Sequence, residues 1–429
     1  MKYKITTLGC KVNRYESEAI ASTLNKNGFF ACPKDESPDV FILNSCTVTA
    51  TGDQKVRQTL RKEKRNSPNA IVVLTGCMAQ AFPEKSQELD DADIIMGTKN
   101  RSKIVSHIMN FMSHKQRIVD ISSHENGEKF EAMEIDSFSD RTRAYIKIQD
   151  GCNRFCSYCI IPFARGRVRS KPLVDLEHEL NKLSGNGFKE IVLTGINLSC
   201  YGQDLGLELF DAVKLSCECK GIERVRLGSL EPELLTEDVI IKLSQLTKLC
   251  PQFHLSLQSG CDETLKRMNR HYDTNEYRTI VNNLRKYFKN PAITTDIMVG
   301  FPNESDEEFI KNLDFAKEIA FSQAHVFAYS RRTGTKADLM DGQIQNKIKE
   351  DRSKKIIQVT DKTREIYHKS FENKTAKVLF ETEKEKNVYL GHTDSYVPVL
   401  CPSAIDLRGE IADVYIESSN TNFCFGRKI

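Results

Sequence analysis

Gly151-Cys152-Asn153-Arg154-Phe155-Cys156-Ser157-Tyr158-Cys159 holds three cysteines within eight positions, at Cys-x3-Cys-x2-Cys spacing. Each thiolate can ligate one iron, and a loop this short can wrap one corner of a cubane iron–sulfur cluster. A cubane has four irons, so three protein thiolates leave one iron open to a small molecule. The alternative is a four-ligand zinc site. Against it, no fourth Cys or His lies nearby, and zinc loops favour paired Cys-x2-Cys.

The chain around this loop has 429 residues, more than one domain by length. Hydrophobic content of 39% with 28% charge is ordinary for a globular chain that buries a core. The apolar run at the N-terminus is too short for a signal peptide, and none elsewhere approaches the ~20 residues that span a bilayer. The expectation is a cytoplasmic protein with no membrane association. Disulfides are rare in that compartment, so 14 cysteines argue for thiolate chemistry or metal binding. A net charge of +3 says little until its distribution is known.

Residues 1–123 read as one domain. Tyr3–Leu8, Val40–Leu43, Ile71–Leu74 and Ile94–Met96 are apolar, and helical segments such as Tyr15–Asn27 and Asp53–Arg65 follow. That alternation predicts a parallel sheet covered by helices. Three of the four strands run into a cysteine: Cys10, Cys46 and Cys77, 36 and 31 residues apart. Parallel strands carry their C-terminal ends to one sheet edge, so these cysteines should converge there. Helix N-termini just beyond them would favour thiolate over thiol. A second three-thiolate cluster follows, three buried structural cysteines being the plainer alternative. Cys32, Cys200, Cys217, Cys219, Cys250, Cys261, Cys401 and Cys424 have no such arrangement and read as packing. Within Gln54–Arg65, six cations face one acid, Glu63, which suits a phosphate backbone or a solvated face.

An acidic, aperiodic stretch at 124–140 reads as a linker, and a core is expected over 138–370. Six strands are expected there: Ala144–Ile148, Glu190–Leu193, Arg224–Leu227, Phe253–Gln258, Ile293–Val299 and Ala324–Tyr329. With helices between them they form a partial (β/α)6 barrel. The three-cysteine loop follows the first strand at the C-terminal edge, where such barrels keep their chemistry. Gly195, Glu231 and Gln258 stand at other strand ends and are candidates for cofactor contact, through close backbone approach or hydrogen bonds to a ribose or amino group. Arg165-Gly166-Arg167-Val168-Arg169-Ser170-Lys171 places four cations beside the loop, suited to RNA phosphates. Residues 371–429 alternate polar and apolar over Ala376–Phe380, Val388–Gly391, Val397–Leu400 and Ile411–Ile416. They predict a small antiparallel β-barrel. No Ser/His/Asp or paired-carboxylate constellation appears, so no acid, base or other catalytic residue is assigned beyond the cluster cysteines.

Taken together the chain resembles the radical S-adenosylmethionine (SAM) methylthiotransferases. The three-cysteine loop with aromatic Tyr158 before its last cysteine is similar to the radical-SAM signature. Thr7-Leu8-Gly9-Cys10-Lys11-Val12-Asn13, Asn44-Ser45-Cys46-Thr47-Val48-Thr49, Ile160-Ile161-Pro162-Phe163-Ala164-Arg165-Gly166 and Asp296-Ile297-Met298-Val299-Gly300-Phe301-Pro302 look like the type that acts on threonylcarbamoyladenosine in tRNA. Gly52, Val56, Gly228, Cys261 and Asn303 depart from that pattern, and none is a cluster cysteine. The resemblance implies two [4Fe-4S] clusters, one on Cys10, Cys46 and Cys77 and one on Cys152, Cys156 and Cys159. It implies SAM bound at the second cluster, with Tyr158, Gly195, Glu231 and Gln258 near it, and a TRAM-like C-terminal barrel. The implied reaction places a methylthio group on C2 of the adenine at position 37 of tRNA, using an electron donor and a sulfur donor. Isopentenyladenosine in tRNA and a ribosomal-protein aspartate are alternative targets within the family. A non-catalytic RNA-binding iron–sulfur protein is the alternative outside it. Nothing in the sequence indicates an oligomeric state.

Overall fold

Val40–Ser45 and Ile71–Gly76 are buried at every position, so the sheet they build needs cover on both faces. The computed structural model describes residues 1–33, 35–133, 135 and 142–429. Its N-terminal sheet runs Phe30–Ala31, Lys2–Thr7, Val40–Ser45, Ile71–Gly76, Ile94–Met96 and Ile118–Asp120 in spatial order, and every pairing is parallel. The first and last strands, of two and three residues, are too short to carry a pattern and extend the four expected ones. Helices Lys11–Lys26 and Ala50–Asn66 connect the central strands. Residues 124–133 form no helix or strand. The rest of the linker expected to 140, and the start of the core expected at 138, lie outside the described residues.

The middle region gives the six expected parallel units as an open arc. Arg143–Lys147, Glu190–Thr194 and Arg224–Leu227 form one sheet; Ser229–Leu230, Gln252–Leu255, Ala292–Val299 and Gln323–Ala328 form the next. The break at Gly228, between Leu227 and Ser229, divides them. Two helices, Asp262–Arg267 and Thr274–Tyr287, follow Gln252–Leu255, the second started by a capping box between Asp273 and Glu276. The long helix Asn346–Lys369 then leads to a closed barrel of Thr375–Glu385, Val388–Thr393, Pro398–Pro402, Cys424–Lys428 and Ile411–Ser419. Its pairings are antiparallel except the parallel one between Pro398–Pro402 and Cys424–Lys428, the one strand that the alternation did not reveal. No helix among the described residues is long and apolar enough to cross a membrane.

The small barrel closes the N-terminal edge of the arc. Glu190, with no exposed surface, meets Arg143 Nε at 2.9 Å and Arg226 Nε at 3.1 Å. Arg224 donates to the Lys377 carbonyl at 2.8 Å and Arg226 to the Asp394 carbonyl at 2.8 Å, while Arg143 reaches Glu381 at 2.7 Å. The Tyr396 ring lies 5.1 Å from the Arg143 guanidinium and 4.8 Å from that of Arg226, stacked on His392. The C-terminal domain thus plugs the floor of the arc.

Burial pushes the Glu190 carboxyl up, but Arg226 and Arg143 outweigh it and hold it at about 2. A depressed carboxyl contributes stability that is full above its ordinary value near 4.5 and is lost as pH falls towards 2. Glu190→Gln should lower stability at pH 7 by about 3–5 kcal/mol. It should also flatten the acid limb of the stability curve, as denaturant titrations between pH 7 and 2 would show.

Candidate functional site

Two glycines with positive φ set up the first cysteine group. Gly9, at φ 104°, precedes Cys10, and a Cβ there would stand 2.7 Å from the Cys46 Cβ. Gly76, at φ 100°, precedes Cys77, and a Cβ there would meet the Ser45 carbonyl at 2.5 Å. Side chains are barred from both turns, so the ends of the three strands approach closely. Cys10 caps the helix Lys11–Lys26, and Cys77 begins the short helix Cys77–Ala81. Cys10 and Cys77 both stand 3.9 Å from Asn13 Oδ1. The convergence expected from strand order is present.

Burial pushes the thiols of Cys10, Cys46 and Cys77 up, and Arg165 and nearby amides only partly offset it. The expected preference for thiolate at helix starts is therefore overturned: desolvation of a charged sulfur outweighs the helix ends. The three sulfurs also raise one another, the behaviour of a set whose charge a bound cation must balance.

The second group lies at the C-terminal edge of the arc. Cys152, Cys156 and Cys159 share one loop, with burial pushing Cys152 and Cys159 up. Donors aim at these sulfurs: Arg270 Nη1 at 3.3 Å from Cys156 Sγ, the Arg154 amide at 3.5 Å and Asn197 Nδ2 at 3.7 Å from Cys152 Sγ. Asn197 Oδ1 is buried with no partner beside them. Among the described residues no three His, Cys, Asp or Glu side chains are arranged to hold a single metal ion. Mutually repelling thiols supplied with hydrogen-bond donors fit a cluster that spreads its ligands over several irons.

The four candidates for cofactor contact fall on the same edge. The Tyr158 ring packs edge-on against Phe301, with centroids 6.4 Å apart. Gly195 sits where a Cβ would meet Gln149 Oε1 at 2.8 Å. Gln258 has φ 68° and is bridged to Ile297. Glu231 is ion-paired with Arg270, the arginine that also reaches Cys156. Burial pushes the Glu231 carboxyl up in spite of that pair.

The cations expected to meet a phosphate backbone mostly do not. Arg165 is fully buried against Glu16 and Asp150, Arg169 against Glu128 and Asp150, and Lys171 against Glu179. Only Arg167 is exposed, over the Phe155 ring at 4.7 Å. In contrast, Lys55, Arg57, Arg61, Lys62 and Arg65 on Ala50–Asn66 remain exposed. Arg165 instead joins the two cysteine groups: Nε donates to Cys77 Sγ at 3.2 Å and Nη2 to Asn13 Oδ1 at 2.6 Å and Glu16 Oε2 at 2.9 Å. Arg101 at 2.9 Å and Lys147 at 3.0 Å complete the shell of Glu16. Burial pushes Glu16 up, but Arg101, Arg165 and Lys147 hold it at about 2. Arg332 makes a second clamp, on Asp53 at 2.7 Å and on Thr47, next to Cys46.

Between the cysteine groups and the Tyr396 floor lies a cavity of about 660 Å³, lined among others by Cys10, Val48, Ile161 and Gly195. Six of its lining residues are Lys11, Arg143, Arg226, His254, Asp296 and His325. His254 Nε2 stands 3.2 Å from Asp296 Oδ2. Sequence reasoning singled out none of these as site residues. The signal was polar or charged residues at alternate positions of parallel strands (Arg224 and Arg226, Thr294 and Asp296, Gln323 and His325), where both faces should be apolar.

Residues 2–97 match the family model described as Uncharacterized protein family UPF0004, and residues 146–316 match that of the Radical SAM superfamily. The chain is 37% identical over 416 residues to the threonylcarbamoyladenosine tRNA methylthiotransferase MtaB of Bacillus subtilis, covering 96% of this chain and 92% of that protein. It is 36% identical over 422 residues to the tRNA-2-methylthio-N(6)-dimethylallyladenosine synthase of Clostridium tetani, covering 96% and 93%. In fold it is similar to the radical S-adenosylmethionine methyltransferase TsrM from Kitasatospora setae, with a TM-score of 0.58 at 14% identity over 79% of this chain and 74% of that one.

Glu16→Gln leaves three buried cations one charge short, at an expected cost of about 3 kcal/mol or more. The N-terminal domain should loosen, seen as a lower unfolding midpoint and faster limited proteolysis than in the wild type. Wild-type resistance in this variant would show that the junction does not rest on that carboxylate.

Proposed function

The chain belongs to the radical-SAM methylthiotransferase family, and from that premise we propose that it places a methylthio group on C2 of N6-threonylcarbamoyladenosine at position 37 of tRNA. Its cofactors are SAM and two [4Fe-4S] clusters. In this reading Cys152, Cys156 and Cys159 hold the cluster that takes SAM, and Cys10, Cys46 and Cys77 hold the other. Residues 1–123, 138–370 and 371–429 are the three working parts. When bound, these groups supply hydrogen abstraction from an unactivated C–H and the methylthio group that replaces the hydrogen. The balance needs two molecules of SAM per base, one consumed as methyl donor and one recovered as 5′-deoxyadenosine and methionine. It also needs a reductant and a sulfide donor, and it is read as occurring in the cytoplasm with tRNA.

The chain's own residues bind, orient and exclude water. Arg270 fixes Cys156 and Glu231 together, while Tyr158, Gly195 and Gln258 line the edge where SAM would lie. Arg165 and Arg332 hold the N-terminal cysteine loops over the arc.

The observation that carries the choice of base is the cavity, whose walls are polar: Lys11 stands there without an ion pair, beside the paired Arg143 and Arg226 and the rings of His254 and His325. A threonylcarbamoyl substituent ends in a free carboxylate and a hydroxyl, which such walls can pair. A dimethylallyl group is hydrocarbon and would displace water from those polar walls without return.

Replacing Cys10, Cys46 and Cys77 together by Ala should abolish methylthiolation while 5′-deoxyadenosine still forms from SAM. Loss of both in a folded protein would count against separate roles. Mass spectrometry of tRNA nucleosides from a host that makes threonylcarbamoyladenosine but not its 2-methylthio form checks the base. Expression of this chain should produce the 2-methylthio derivative, and its appearance on isopentenyladenosine instead would refute the proposed substrate.

A further inference from the structure

Most cations of the cavity are already neutralised. Arg143 and Arg226 share Glu190, and Arg143 also holds Glu381. His254 is paired with Asp296. Lys11 differs: it lines the cavity, yet makes no hydrogen bond or ion pair with any described residue. Its place is fixed from two sides, by the preceding Cys10 that caps the helix and by Val12, buried next to it. The ammonium therefore stands at the reacting end of the cavity, where the base must lie for its C2 to approach the cysteine groups.

Lys11 keeps an exposed ammonium at the cavity wall beside Arg143 and Arg226, and the acid that acts on it, Asp296, is already shared with His254, so a bound anion would find an unshared cation there. Ribose and adenine bring none. Among the base modifications considered, the threonylcarbamoyl group alone brings a carboxylate, and about 660 Å³ is room enough for a modified nucleoside. We propose that Lys11 binds the free carboxylate of the threonylcarbamoyl group and is the residue that selects the base. The assignment rests on the substrate reading above. It makes Lys11 a specificity-determining residue, placed one position from a cysteine of the first group, so that selection and reaction share one turn of chain. Because the contact is a charge-assisted hydrogen bond, its loss should cost on the order of 10- to 100-fold in affinity.

The test uses the full-length protein with both clusters reconstituted and measures binding by fluorescence anisotropy. Two anticodon stem-loops are compared, one carrying threonylcarbamoyladenosine and one in which its carboxylate is converted to the carboxamide. The wild type should bind the acid more tightly than the amide by that factor. Lys11→Met should bind both with the affinity the wild type has for the amide, and Lys11→Arg should restore the difference. Iron content per chain, counted for each variant, separates this from damage to the neighbouring cluster. A Lys11→Met protein of normal iron content that still prefers the acid, or that weakens equally for both stem-loops, would overturn the assignment. Failure of the substrate reading shows earlier and differently: the wild type itself would not distinguish threonylcarbamoyladenosine from unmodified adenosine.

Discussion

Everything at the reaction centre depends on a single buried carboxylate. Glu16 lies on the first helix of the N-terminal domain, without exposed surface, and its partners come from both sides of a junction: Arg101 from its own domain, Lys147 and Arg165 from the arc. Charges this deep are tolerated only when every one is met, and the geometry that meets them is narrow. Sliding one domain over the other would strand at least one ion. The network adds little to net stability compared with an apolar contact of the same size, but it fixes register. The same Arg165 donates to Cys77, so the position of the first cysteine group over the arc is set by the electrostatics of the junction.

The cavity is lined by three separate pieces of chain. Cys10 and Val48 cover it from the N-terminal domain, the arc gives the walls, and Tyr396 comes from the C-terminal barrel. Walls drawn from three parts of the chain restrict the approach of solvent to a group held between them, and their polar lining suits a charged substituent. Polar residues inside a parallel barrel would be a fault in a purely structural domain. Here they are the part of the fold that recognises something.

Much of this was legible from the residues. Cys-x3-Cys-x2-Cys after an apolar strand located one group, and three strand-terminal cysteines at β-α spacing located the other, because parallel topology converts distant positions into neighbours. What could not be read was pairing. Arg165, Arg169 and Lys171 look like an RNA-facing patch in sequence, and only the fold shows them turned inward onto acids, Glu16 and Glu128 from far along the chain and Asp150 and Glu179 from nearer. The Cys424–Lys428 strand escaped because it is short, ends in charge and pairs partly in parallel.

Tyr396 belongs to the small terminal barrel, yet its ring lines the cavity between the arc and the N-terminal domain. A module that looks detachable is thereby part of the container. Its loop between Thr393 and Val397 sets the depth of that cavity, so this appendage cannot be traded for that of a relative without also resizing the space above it.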